Sequence, residues 1–164
     1  MTVYLRWGGA ALLMIGAMAV SYAYEKYLQK RISEYRGLVS LLDHAEREIT
    51  KFLSYGSALW RGFQDDSLEK CGLLPILREG KALCSAFEAV SDKMSLSPSA
   101  KKRLAEDLAK LGRGYKDGEL TLIGSIKQSL SEELESESVE AEKNIKVARA
   151  LLLGGALAVV IMVV

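Results

Sequence analysis

The sequence predicts an all-α protein in which a cytoplasmic helical bundle is flanked by an N-terminal and a C-terminal transmembrane helix. Three observations carry that reading. Apolar residues recur at three-and-four spacing through the middle of the chain, no segment alternates with period two, and the charges are segregated. Every acidic residue lies between Glu25 and Glu142, while the two ends are almost pure hydrocarbon apart from Arg6 and Arg149.

The N-terminal run from Tyr4 to Tyr24 has one charge, Arg6, placed where it can snorkel to an interface beside Tyr4 and Trp7. At about 1.5 Å per residue the run spans a hydrocarbon core of about 30 Å. The C-terminal run from Val147 to Val164 is just long enough to cross, with Arg149 near its start. A cleaved signal peptide competes for the first run, with Arg6 as its n-region and Ala17-Met18-Ala19 as a small-x-small site. Cleavage would put the middle domain outside the cell and leave Lys143, Lys146 and Arg149 on the outer flank, against the positive-inside bias. With the first helix retained, Lys26, Lys30, Arg31 and Arg36 follow it and the same three cations precede the second, so both flanks of residues 25–146 are basic and face the cytoplasm. The expected organisation is therefore 4–24, first transmembrane helix; 25–146, bundle; 147–164, second transmembrane helix.

Within the bundle, Leu28, Ile32, Tyr35, Val39, Leu42, Ile49 and Leu53 form one face of a long amphipathic helix that continues from the membrane run without a break. Tyr55-Gly56-Ser57 ends it, and a short helix carries Leu59, Trp60 and Phe63. Gln64-Asp65-Asp66-Ser67 reads as a turn and cap before Leu68, Gly72 and Pro75 as breakers, and Gly80 as a boundary. Leu83, Phe87 and Val90 form the next apolar face. Ser97-Pro98 is the strongest helix start in the chain, with Leu104, Leu108 and Leu111 inward and Gly112 as the stop. After a glycine-rich loop through Gly118, a last helix begins near Glu119 and carries Leu122, Ile123, Ile126, Leu130, Leu134, Ala141 and Ile145.

The composition gives no case for nucleic acid, since the net charge is only +1. Neither does it offer an active site: there is one His, and no Gly-x-Ser-x-Gly, His-Glu-x-x-His or phosphate-loop motif. Cys71 and Cys84 do not have a zinc spacing and read as small core side chains, so no metal or other cofactor is expected. Asp43, His44, Glu46 and Glu48 read as a solvated helix face with local ion pairs. The acidic stretch from Glu132 to Glu142 reads as a solvated face as well, with a docking surface for a basic partner as its alternative. It leads into Lys143, Lys146 and Arg149, read as anchors at the membrane edge. Ala150, Gly154 and Ala158 have small-xxx-small spacing, which allows close helix pairing within one chain or between copies in a homo-oligomer.

Several of these residues also form a pattern: Ala45-Glu46-Arg47-Glu48-Ile49 on the first long helix, Leu111-Gly112 with Asp117 beyond, then Lys143-x-x-Lys146 leading through Leu152, Gly154 and Gly155 into a terminal apolar helix. On them the chain resembles the stage III sporulation protein AB family of endospore-forming Firmicutes, nearly end to end. The loop Arg113-Gly114-Tyr115-Lys116-Asp117 is slightly longer than the commoner family form. That family is similar to the cytoplasmic domains of the type II secretion F protein. The resemblance implies a platform component of a channel-like sporulation apparatus in the mother-cell (outer forespore) membrane, with a cytoplasmic secretion-type ATPase and other membrane proteins of the complex as partners. Because lipid headgroups should occupy the basic membrane edge, the expected docking surface is the opposite end of the bundle, with Arg113, Tyr115, Lys116 and Asp117. The runner-up class is a membrane-anchored sensor or signalling adaptor, disfavoured because no output module is left after the second apolar run.

Overall fold

The computed structural model describes residues 2–51, 56–112 and 116–163; at the two ends the side chains of residues 2–8, 10, 13, 156, 160, 162 and 163 lie outside the description, as do those of Ser57 and Lys116. All regular structure among these residues is helical. Six α-helices are described: α1 (Thr2–Lys51), α2 (Asp66–Cys71), α3 (Leu73–Arg78), α4 (Leu83–Val90), α5 (Pro98–Leu108) and α6 (Lys116–Val163), with 3-10 turns at Gly56–Trp60 and Ser91–Lys93. Two compact units result, one of residues 30–136 and one of residues 1–29 with 137–164, and α1 and α6 contribute to both. The sequence predicts a bundle over residues 25–146.

The unit of residues 30–136 is built round one apolar core. Tyr35, Leu38, Leu41, Leu42, Ala45 and Ile49 enter it from α1, and Ile123, Ile126 and Leu130 from α6. The short helices between them supply Leu68, Leu73, Leu74, Leu77, Phe87, Leu104 and Leu108. Local chemistry sets each boundary. Asp65 caps α2 by accepting from the Ser67 and Leu68 amides at 3.0 and 2.9 Å. Gly72, at φ 91°, closes α2 in the left-handed region and opens α3 in the same residue. Ser97 caps α5 through the Ala100 amide at 3.2 Å, with Pro98 in the first turn.

Gly37, in the middle of α1, is required by proximity. A Cβ there would stand 2.8 Å from Asp65 Oδ1 and 3.0 Å from Leu68 Cγ, so the capped start of α2 lies directly on the α1 backbone. Pro75 corrects the sequence reading: it does not break a helix but sits in the first turn of α3, where a missing N–H has no intrahelical partner to lose. The start of α6 is corrected too. Lys116, Asp117 and Gly118 belong to the helix, with Asp117 and Glu119 placing negative charge in its first turn.

In the other unit the two arms of α1 and α6 meet. Arg149 Nη2 donates to Glu25 Oε2 at 2.5 Å, and Leu28 and Ala141 are buried. Beyond that pair toward the chain ends, the described large apolar residues are exposed, apart from the half-buried Leu152. Among the described residues no helix is long and apolar enough to cross a membrane.

Candidate functional site

Residues 1–29 and 137–164 carry the most unusual surface of the molecule. Leu12 is 71% exposed, Leu151 70% and Ile161 69%, and Ile15, Met18, Val20, Val147, Leu153, Leu157 and Val159 are exposed with them. At 3.6 residues per turn these positions do not make a stripe but go round each helix. Monomeric proteins in water rarely leave so much contiguous apolar surface bare, and a surface apolar on all sides suits a hydrocarbon environment or a partner.

A polar collar bounds this surface. On α1 it consists of exposed Tyr22, Tyr24 and Tyr27, with the Lys26 ammonium 5.1 Å from the centre of the Tyr22 ring. On α6 it consists of Lys143, Lys146 and Arg149, all exposed. Two of these three cations are matched locally. Arg149 pairs with Glu25, and Lys146 donates to Glu142 at 2.6 Å, which holds the Glu142 carboxyl below its ordinary value. Sequence reading named the basic residues but not the tyrosines, although amphipathic rings at the end of an apolar run are a legible interfacial signal. Ala150, Gly154 and Ala158 are exposed, and a Cβ added at Gly154 would meet nothing within 4 Å. The Tyr4, Arg6 and Trp7 side chains lie outside the described residues.

The expected docking turn is described only at its borders. Arg113 and Tyr115 lie outside the described residues, and so does the Lys116 side chain. Leu111 is half-buried against the core, and Gly112 has φ 83°. The Gly112 amide donates to Glu119 Oε1 at 2.7 Å, which ties the end of the α5 segment to the first turn of α6. Asp117 is exposed, and its carbonyl accepts from Thr121 Oγ1 at 2.8 Å.

Two polar constellations in the unit of residues 30–136 were not foreseen. Lys127 of α6 donates to Asp43 Oδ1 at 2.9 Å and to Glu46 Oε2 at 2.5 Å on α1, and Arg47 pairs with Asp43 at 3.7 Å. The bonds to Lys127 lower the Asp43 pKa and raise that of Lys127. His44 Nε2 lies 3.0 Å from the Leu59 carbonyl oxygen, and its ring packs on Phe63. This corrects the reading of that helix arc as a solvated face with only local pairs: it is the seam between α1 and α6. An open groove of about 640 Å³ lies along the seam, lined by Arg36, Ser40, Asp43, Gly124, Lys127 and Gln128 among others.

The second constellation centres on Glu34, a fully buried acid on α1. Its Oε2 accepts from the Ser95 amide at 2.5 Å; burial pushes its pKa up, against that bond and the nearby Lys30. Cys71 and Cys84 are not joined in a disulfide, and burial raises the pKa of Cys71. Among the described residues no group of three His, Cys, Asp or Glu side chains could hold a metal ion. Comparison with family models, with curated proteins and with solved structures finds no match to the chain.

Proposed function

We propose that the chain is a membrane-anchored helical platform with no catalysis of its own, whose two arms insert in a bilayer as a hairpin and whose bundle docks a cytoplasmic partner. The observation that supports it best is the all-round exposure of apolar residues on both arms together with the Tyr22, Tyr24, Tyr27, Lys143 and Lys146 collar. The Glu25–Arg149 pair sets the polar ends of the two arms side by side, as a hairpin requires. The basic flanks of both arms favour the cytoplasm for residues 25–146. On the resemblance described above, the platform belongs to a secretion-like sporulation channel in the mother-cell membrane. Its partner is then that apparatus's secretion-type ATPase, bound through Arg113, Tyr115, Lys116 and Asp117.

Topology and partner are tested separately. In intact cells, a cysteine at position 115 of a chain otherwise free of cysteine should resist a membrane-impermeant thiol reagent, and labelling would overturn the cytoplasmic placement. A pull-down of the cognate ATPase should succeed with the unaltered chain and weaken on Arg113→Glu with Lys116→Glu, helicity unchanged. A well-folded protein that does not retain the ATPase at micromolar concentration would reduce the reading to an intramembrane scaffold.

A further inference from the structure

The buried acid Glu34 has no place in the platform reading, and its surroundings are specific. Its side chain is 0% exposed, and it bridges α1 to the connection between α4 and α5. One oxygen holds the Ser95 amide; the other, Oε1, is enclosed and accepts no hydrogen bond. Lys30, one turn earlier on α1, stands 3.6 Å from Oε1 and donates to the Lys93 carbonyl at 3.4 Å. The segment Lys93–Ser95 is thus fastened to α1 at two points, both from residues one helical turn apart. Met94 within it and Leu96 after it are buried in the core.

We propose that the segment 93–95 is a proton-controlled latch on α1, closed while Glu34 carries a proton and released when Glu34 gives that proton to water. In the closed state an ionised carboxylate leaves a buried anionic oxygen with no hydrogen bond and only the Lys30 ammonium, 3.6 Å away, to offset its desolvation, whereas the neutral acid keeps the Ser95 bond and removes the buried charge. The groups that face Glu34 are Lys30 on its own helix, Lys101 on α5 and the Cys71 thiol on α2. The two lysines favour the ion, yet burial outweighs them and leaves the pKa raised. A raised value in the closed state means that closure takes up a proton. Closure is therefore strongest below the ordinary carboxylate value and is lost as pH rises through the raised one. Release lets water reach Oε1 and uncovers Met94 and Leu96, so the latch governs access to an apolar strip. The idea does not rest on the membrane or the partner reading.

Amide hydrogen exchange at Ser95 in the full chain, corrected for the intrinsic pH dependence of exchange, tests it. In the unaltered protein, protection should fall with rising pH by up to about tenfold per unit, the limit for one linked proton. Glu34→Gln should abolish that slope, and Lys30→Met should carry the fall to higher pH, because the cation that favours the ion is gone. A pH-independent profile in the unaltered protein, or an unchanged slope in Glu34→Gln, would overturn the latch. Should Glu34→Gln not fold, Lys30→Met decides: a fall that ends at the same pH as before overturns it.

Discussion

The same residue type has opposite fates in the two units. Leu41, Leu68, Leu73, Leu74 and Leu77 are completely enclosed, whereas Leu12, Leu151, Leu153 and Leu157 are exposed. The difference lies in the company each leucine keeps along the chain. In residues 30–136 apolar positions recur at three-and-four spacing with charges between, so each helix has an inside and an outside. In the stretches 7–24 and 150–164 of the arms there are no charges to define an outside, and two helices side by side cannot cover an all-round apolar surface. The bundle is stabilised by its own packing; the arms need something else against them.

The largest expected effect tests that contrast directly. Leu74→Ala opens a cavity in the enclosed core and should destabilise the bundle by about 2–5 kcal/mol in denaturant unfolding of the full chain in detergent. Leu151→Ala in the same measurement should stay within about 0.5 kcal/mol of the unaltered protein. Equal losses would break the distinction between a packed unit and a bare one.

A smaller effect compares two helical glycines. Gly37→Ala places a methyl against Asp65 Oδ1 and Leu68 Cγ, and moving Asp65 loosens the cap of α2, so a cost of about 1–3 kcal/mol is expected. Gly154→Ala meets nothing within 4 Å and should leave unfolding unchanged or raise helix stability by up to about 1 kcal/mol. If Gly154→Ala instead weakened association between copies in crosslinking, the small-residue spacing of Ala150, Gly154 and Ala158 would be an interface.

Smaller still is the cost at Gly112. A Cβ there also meets nothing within 4 Å, so only its φ of 83° opposes substitution. Gly112→Ala should lower the melting free energy by about 1 kcal/mol, and Gly112→Asn by less, because Asn tolerates the left-handed region better. Equal effects of Ala and Asn would mean that the Glu119 bond, not the dihedral angle, sets the cost.

Helix type and core membership were legible because they depend on neighbours three or four residues away: Tyr35, Leu42 and Ile49 on α1, Ile123, Ile126 and Leu130 on α6, and the Ser97-Pro98 start all follow from local pattern. What escaped depends on residues far apart in sequence. Glu34 looks like any polar residue on an amphipathic helix until Ser95, 61 positions later, is placed against it. Asp43 and Glu46 likewise read as solvated until Lys127 arrives from more than 80 positions away. Pro75 misled because a proline in the first turn of a helix and a proline that ends one look alike in a short apolar run.

The smallest expected effect belongs to the seam between α1 and α6. Lys127→Met removes the cation shared by Asp43 and Glu46, and the pH profile of stability should reveal it better than stability at any one pH. The lowered Asp43 value means that its contribution is present above the ordinary aspartate value and is lost as pH falls through the lowered one. The raised Lys127 value means that its contribution is present below the ordinary lysine value and is lost as pH rises through the raised one. The pair thus supports the bundle across the neutral range and fades at both extremes. Asp43 is 47% exposed and Glu46 37%, so solvent screens the attraction and the loss at neutral pH should be about 1 kcal/mol or less. Melting in high salt should shrink it further. A Lys127→Met protein that lost the same stability at acidic as at neutral pH would show that the lysine acts through its hydrocarbon stem against the groove, not through its charge.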